Sequence, residues 1–172
     1  NQKLRNLINE SIKSKGIFAK VLVDKDSPYL KSIVLNKGSK NNVKLGMAII
    51  DDNYLVGKII EVNYTNSRAL LLSDLNSKIP VLLEPIDIHA VVSGTGKNYG
   101  IIEYTKEEYS EELNDREIVV YTSGYGGLFR SGLAVGKIIK DKETKKNIVN
   151  FFSDFRQLDY VKIVSYEIGS GN

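Results

Sequence analysis

The sequence predicts an all-β protein built of two small six-stranded β-barrel-like domains, and three observations support this prediction. First, short stretches rich in Val, Ile, Leu and Tyr follow one another from residue 17 onward, each bounded by Gly, Asn, Asp or Ser. Second, no strand–helix–strand alternation is present, which argues against a parallel nucleotide-binding sheet. Third, the pentapeptide VGKII occurs twice, at residues 56–60 and 135–139.

The N-terminal residues 1–15 are expected to form a short helix. Leu4, Ile8 and Ile12 recur at every fourth position, and Leu7 extends the same apolar stripe. Gly16 is a suitable helix stop. The stripe fits either the end of a coiled coil or a helix packed on its own domain, because two turns cannot distinguish them.

Twelve strands are expected after this helix, separated by turn signals such as Ser-Pro, Lys-Gly-Ser and Asp-Asp-Asn. They fall near residues 17–24, 31–37, 47–51, 54–62, 68–73, 79–84, 88–93, 99–105, 117–122, 133–140, 147–153 and 159–166. We therefore expect a first barrel at 16–95, a second barrel at 96–166, and a flexible tail at 167–172.

The repeat extends beyond VGKII. Its landmarks are Gly38 and Gly46 with Gly124 and Gly132 (offset 86), Val56 with Val135 (offset 79), and Ser73-Asp74 with Ser153-Asp154 (offset 80). An apolar strand closes each copy, at 79–83 and at 160–164. The order predicts two copies of one barrel-like unit, each closed to avoid open sheet edges. Whether each last strand closes its own barrel or exchanges with the other is left open by the sequence.

Composition narrows the range of functions. The 172 residues are 42% hydrophobic and 26% charged, as in ordinary globular proteins, and no run approaches the ~18 apolar residues that cross a membrane. Net charge is only +3, with both signs mixed along the chain, so no nucleic-acid partner is expected. Without cysteine, and with His89 as the single histidine, we expect no metal and no cofactor. The chain begins at Asn1 without Met, and we expect it to belong to a longer, anchored protein.

A glycine-rich segment at 121–139 raises the question of catalysis. It contains Ser123, and His89, Asp115 and Ser123 follow the order used by trypsin-fold serine proteases. His89 and Ser123 are only 34 residues apart, however, whereas the repeat makes each barrel about 80 residues long. The expectation is therefore a chain without catalytic residues, with the protease as the alternative.

Four segments together resemble a known family. They read SIVLNKGSKNNVKLGMAII, LVGKIIEVNYTNSRALLLSDLNSKIPV, VVYTSGYGGLFRSGLAVGKIIK and FFSDFRQLDYVKIV. In this order and spacing they resemble the MreC family of bacterial rod-shape-determining proteins. The likeness runs from Gly16 to about Tyr166, and residues 1–14 fit the end of the family's coiled coil.

The resemblance implies a non-enzymatic scaffold of the elongasome on the extracytoplasmic (periplasmic) face of the bacterial cytoplasmic membrane. It implies a transmembrane helix and a coiled coil before two barrels that are chymotrypsin-like in shape but lack catalytic machinery. The implied partners are further copies of itself in a dimer or filament, MreD, the MreB system, and a class B penicillin-binding protein that crosslinks peptidoglycan.

Five residues are candidates for protein contacts. The resemblance makes Leu4, Leu7 and Ile8 the coiled-coil seam positions nearest the barrels. Tyr125 and Phe129 lie in the glycine-rich loop, and aromatic residues are favoured as interface anchors. For Phe129, packing into a barrel end is the alternative, whereas Tyr125 has no apolar counterpart in the first copy.

Overall fold

Twelve β-strands and one 3₁₀ turn form the part of the chain described in a computed structural model, residues 16–26, 31–104, 117–124 and 131–164. The strands are β1 (Ile17–Asp26), β2 (Lys31–Leu35), β3 (Ala48–Asp51), β4 (Tyr54–Val62), β5 (Ser67–Leu71), β6 (Lys78–Glu84), β7 (Ile88–Gly94), β8 (Tyr99–Tyr104), β9 (Val119–Thr122), β10 (Ala134–Lys140), β11 (Asn147–Phe151) and β12 (Tyr160–Val164). The 3₁₀ turn covers Ser39–Asn41. The all-β prediction is confirmed for these residues, whereas the predicted helix at 1–15 and tail at 167–172 lie outside them.

The first barrel is a ring of six antiparallel strands in the order β4-β3-β12-β1-β2-β5, closed by pairing of β5 with β4. The second has the order β11-β8-β7-β6-β9-β10, closed by pairing of β10 with β11. Closure gives every strand two neighbours, so that the ladder hydrogen bonds are satisfied on both sides. The two barrels meet at a parallel bridge between Tyr54 of β4 and Ala134 of β10. Beside it, the aromatic rings of Tyr54 and Phe152 pack with their centroids 5.1 Å apart.

The strand pairing corrects the predicted boundaries of 16–95 and 96–166. β6 and β7 pair with later strands in the second barrel, and β12 lies between β1 and β3 in the first. The sequence left open whether the last strand of each unit closes its own barrel or exchanges with the other. The pairing shows an exchange, with β6 in the second barrel and β12 in the first. The turn at 85–87 places Leu83 opposite Ile88, and strands joined by so short a turn stay paired. β6 and β7 therefore stay in the same barrel, which the strand pairing shows to be the second.

The two VGKII segments occupy matching places, because β4 and β10 each lie beside the strand that closes their ring. Both contain a glycine pressed against the neighbouring backbone. A Cβ on Gly57 would lie 2.0 Å from the carbonyl oxygen of Leu70, and one on Gly136 would lie 2.4 Å from that of Asn150. The repeated glycine therefore allows two strands to approach closely, as predicted for a strand glycine. Duplication of the whole unit remains a prediction.

The repeated glycine pairs at offset 86 do not occupy matching places. Residues 36–47 join β2 to β3, whereas 123–133 join β9 to β10. Since β9 takes in the second ring the place that β3 takes in the first, the counterpart of 123–133 is the short turn between β3 and β4. The offset of 86 between the glycine pairs therefore does not reflect equivalent positions in the two barrels.

The crossover from β5 to β6, residues 72–77, is held against both barrels. The buried side chain of Asp74 accepts hydrogen bonds from the backbone N–H of Lys31, at the start of β2 (2.8 Å), and from that of Asn76 (2.7 Å). On the other side, Gly94 N–H donates to Ser77 O (3.0 Å). The Ser-Asp pair therefore fixes the point at which the chain leaves one barrel for the other.

One contiguous apolar core fills both barrels. Its buried side chains alternate with more exposed residues along strands such as β6, where Ile79, Val81 and Leu83 are buried. Burying each such side chain contributes about 1.5–3 kcal/mol, so the interior supplies most of the stability and leaves outward side chains available for other roles.

Candidate interaction surface

The outward side chains of β1 and β12 form an exposed, partly apolar surface on the first barrel. Alternation along β1 places Phe18, Lys20 and Leu22 outward, and Phe18 and Leu22 are 70% and 53% exposed. The antiparallel register sets Lys162 opposite Phe18 and Tyr160 opposite Lys20, and Tyr160 is 62% exposed. These five residues are called the β1–β12 face below.

A hollow of about 220 Å³ opens beside this face. It is lined by Phe18, Ile50, Asp51, Asp52, Tyr160, Val161 and Lys162. Pairing across three strands explains the arrangement, because Phe18 on β1, Lys162 on β12 and Ile50 on β3 lie in one row. Large exposed side chains beside a concavity can receive a protruding side chain of a partner, which is the geometry of an interface anchor.

Charges of both signs border the hollow. Lys162 is largely buried, and its ammonium nitrogen lies 5.6 Å from the centre of the Phe18 ring, within cation–π range. Burial, and then repulsion from Asp52, raise the pKa of Asp51 above its ordinary value. An apolar centre with a charged rim is the composition expected of a protein-binding surface.

Strand order gives the protease alternative no support. His89 on β7 lies outward, in the pair with Leu82 of β6, and Leu82 pairs in turn with Tyr121 of β9. Because β6 separates β7 from β9, the backbones at His89 and Ser123 lie two strand spacings, or about 10 Å, apart. Asp115 lies outside the described residues.

No cofactor chemistry is evident in the described part of the chain. Among residues 16–26, 31–104, 117–124 and 131–164, no three His, Asp or Glu side chains are grouped as metal ligands would be. The same residues include no helix with the length and apolar character needed to cross a bilayer.

The five predicted contact residues, Leu4, Leu7, Ile8, Tyr125 and Phe129, all lie outside the described residues, and their roles remain predictions. The β1–β12 face was not predicted from the sequence. A signal for it was present in the first strand, IFAKVLV, where large apolar residues occupy both alternating sets of positions. One set must then face outward, because a barrel strand buries only one face.

The described residues define a class of protein with two interlocked β-barrels and an exposed apolar face on the first of them. The comparison with known families agrees with this class. A family model described as "Rod shape-determining protein MreC, barrel core" matches residues 21–165. The chain therefore belongs to the MreC family of cell shape-determining proteins.

Relatives from several bacteria carry the name cell shape-determining protein MreC. The protein of Cereibacter sphaeroides is 32% identical over 149 residues, covering 86% of this chain and 48% of the relative. That of Haemophilus influenzae is 31% identical over 155 residues, covering 89% and 43%. The chain thus spans about half the length of these relatives.

Solved structures share the fold. MreC from Pseudomonas aeruginosa superposes with a TM-score of 0.74 at 24% identity, covering 88% of this chain and 99% of that one. A complex between penicillin-binding protein PBP2 and MreC from Helicobacter pylori includes a chain that superposes with a TM-score of 0.56 at 16% identity, covering 88% and 99%. A further structure is described as the major periplasmic domain from the cell shape-determining filament MreC, with a TM-score of 0.73 at 18% identity, covering 89% and 99%.

Proposed function

We propose that this chain is the barrel region of a non-enzymatic scaffold outside the cytoplasmic membrane. In this role it binds a class B penicillin-binding protein and further copies of itself, and so organises peptidoglycan synthesis during elongation. The observation that carries the proposal is the β1–β12 face, with Phe18 and Tyr160 exposed on adjacent strands beside a hollow. Exposed aromatic side chains grouped in this way mark protein-binding sites.

Two similar proteins support the choice of partners and location. One is described in complex with PBP2, and another as the major periplasmic domain of a filament. Association with MreD and the MreB system, and anchoring by an N-terminal transmembrane helix, are proposed for the whole protein. A role for Leu4, Leu7 and Ile8 in a coiled-coil seam, and for Tyr125 and Phe129 in partner contacts, belongs to the same proposal.

The test is direct binding of the chain to the class B penicillin-binding protein of its own organism, measured by biolayer interferometry. The double variant Phe18→Ala/Tyr160→Ala should bind at least about tenfold more weakly, since two anchor side chains are truncated. Ile101→Ala is the matched control, because Ile101 is an outward residue of the second barrel that is 50% exposed.

Unchanged far-ultraviolet circular dichroism would show that both variants keep the fold. Equal binding by the double variant and the wild type would refute the role of the β1–β12 face. Weaker binding by Ile101→Ala alone would move the site to the second barrel. Light scattering on the same variants would report separately on self-association.

A further inference from the structure

A second surface lies at the end of the first barrel and adjoins the β1–β12 face, since the N–H of Asn36 donates to Lys20 O (3.1 Å) and the N–H of Lys20 donates to Asn36 Oδ1 (2.8 Å). Residues 36–46, between β2 and β3, contain Lys37, Lys40 and Lys44 and no Asp or Glu. The β4–β5 turn, residues 63–66, reads NYTN and is uncharged. Both segments lie at one end of the barrel, because β2 and β4 finish there while β3 and β5 begin there. They are called the lysine end below.

Backbone hydrogen bonds join the two segments into one surface. The N–H of Ser39 donates to the carbonyl oxygen of Asn63 (2.8 Å), and the N–H of Lys40 donates to that of Tyr64 (3.1 Å). In addition, the N–H of Gly46 donates to Ile59 O (2.9 Å), which fixes the far end of the longer loop to β4. The lysines are therefore carried by a preorganised loop.

Two large side chains protrude from this positive surface. Tyr64 is 71% exposed and Leu45 is 67% exposed. The nearest acidic residue on the adjoining strand, Glu61, forms an ion pair with Arg68 (3.4 Å), which leaves the lysine charges of the loop uncompensated by that carboxylate. Exposed apolar groups among cations fit an environment that is both anionic and apolar.

We propose that the lysine end binds the surface of an anionic phospholipid bilayer. Lys40 and Lys44 contact headgroup phosphates, while Leu45 and Tyr64 enter the boundary between headgroups and acyl chains. Tyrosine is enriched at that depth, and lysines near an anionic surface each contribute to binding through its negative potential. Single-stranded nucleic acid fits less well, because it requires successive aromatic platforms and the two segments contain only Tyr64.

The β10–β11 hairpin offers a matched control. Residues 140–146 contain Lys140, Lys142, Lys145 and Lys146, so the number of lysines is similar, but Asp141 and Glu143 interleave them and no apolar residue is present. The hydrogen bond from the Thr144 hydroxyl, and then that from the Glu143 N–H, hold the pKa of Asp141 below its ordinary value. The hairpin is thus a lysine-rich loop that, unlike the lysine end, contains acidic residues and no apolar side chain.

The experiment is sedimentation of the 172-residue chain with vesicles of phosphatidylglycerol and phosphatidylcholine in equal parts. The wild type should bind, and binding should weaken with added NaCl and be absent on pure phosphatidylcholine. Lys40→Gln/Lys44→Gln should lower the partition coefficient about 30-fold, since each lysine contributes about fivefold. Leu45→Ser/Tyr64→Ser should also lower it, whereas Lys142→Gln/Lys146→Gln should change it less than about threefold.

Each contrary result overturns the proposal. Wild-type chain that stays in the supernatant with the anionic vesicles refutes it outright. Equal losses in the lysine-end and hairpin variants would show attraction by overall charge. If Leu45→Ser/Tyr64→Ser binds vesicles as the wild type does, the surface recognises charge alone. A soluble polyanion or an acidic protein would then be the better-supported ligand.

Discussion

Asp74 is predicted to be the most sensitive polar residue in the connection between the barrels. Its side chain is 1% exposed and receives N–H groups from Lys31 and Asn76 at 2.8 and 2.7 Å. The informative perturbation is Asp74→Ala, compared with Asp74→Asn and with Asp154→Ala. Asp154 is the equivalent residue of the other Ser-Asp pair, and it is exposed and bonded only to the nearby Arg156.

The size of the effect follows from the two hydrogen bonds. Leaving a buried N–H without an acceptor costs about 1–3 kcal/mol. Both N–H groups are only partly buried, so water can satisfy them in part, and the lower half of the range applies. Asp74→Ala should therefore cost about 2–4 kcal/mol in the free energy of unfolding. Asp74→Asn keeps one acceptor oxygen and should cost about half as much.

Urea unfolding monitored by circular dichroism measures these changes. The midpoint should fall for Asp74→Ala with little change in the slope m, since the surface exposed on unfolding stays the same. A loss of about 3 kcal/mol is a large share of the 5–15 kcal/mol typical of a domain. If Asp74→Ala were no less stable than Asp154→Ala, the crossover would not depend on Asp74 and the reasoning would be wrong.

Two further predictions concern a glycine and a carboxylate. Gly57→Ala should lower the free energy of unfolding by about 2–4 kcal/mol, because the added Cβ would meet the backbone of Leu70. Gly46→Ala is the control and should cost about 1 kcal/mol, because Gly46 has a φ of +85° but open space around it. Equal costs of the two substitutions in urea unfolding would contradict the close approach at Gly57. Since burial and Asp52 raise the pKa of Asp51, its ionised form destabilises the fold above that raised pKa. Asp51→Asn should thus raise the melting temperature at neutral pH, and the gain should disappear below pH 3.8, the ordinary pKa of an aspartate. A gain in melting temperature that does not depend on pH would refute this cause.

Much of the fold could be predicted from the sequence, because strand patterns and turn residues are local signals. The strand expected at 54–62 is β4, Tyr54–Val62, and the one expected at 31–37 is β2, Lys31–Leu35. The exchange of β6 and β12 could not be predicted, because which apolar strand closes which ring depends on contacts distant in sequence. The short turn at 85–87 indicates only that β6 and β7 stay together.

The candidate surface was harder to predict than the fold. Tyr125 and Phe129 were predicted as contacts because they lie in a loop of unusual, glycine-rich composition. Phe18 and Tyr160 lie 142 positions apart (160 − 18) and meet only because β12 returns to β1 in the first ring. An outward aromatic residue on a single strand looks like any other strand residue until its neighbour is known.

The exchange has a consequence for how the two surfaces are built. The β1–β12 face combines a strand from the start of the barrels with the last described strand, so it exists only when β12 has returned to the first barrel. The lysine end, in contrast, comes from β2 to β5 and their connections, and it lies on the same first barrel. The two surfaces adjoin, because Asn36 of the lysine end is hydrogen-bonded to Lys20 of the β1–β12 face. Removal of β12 would therefore abolish the β1–β12 face while leaving the lysine loop sequence intact.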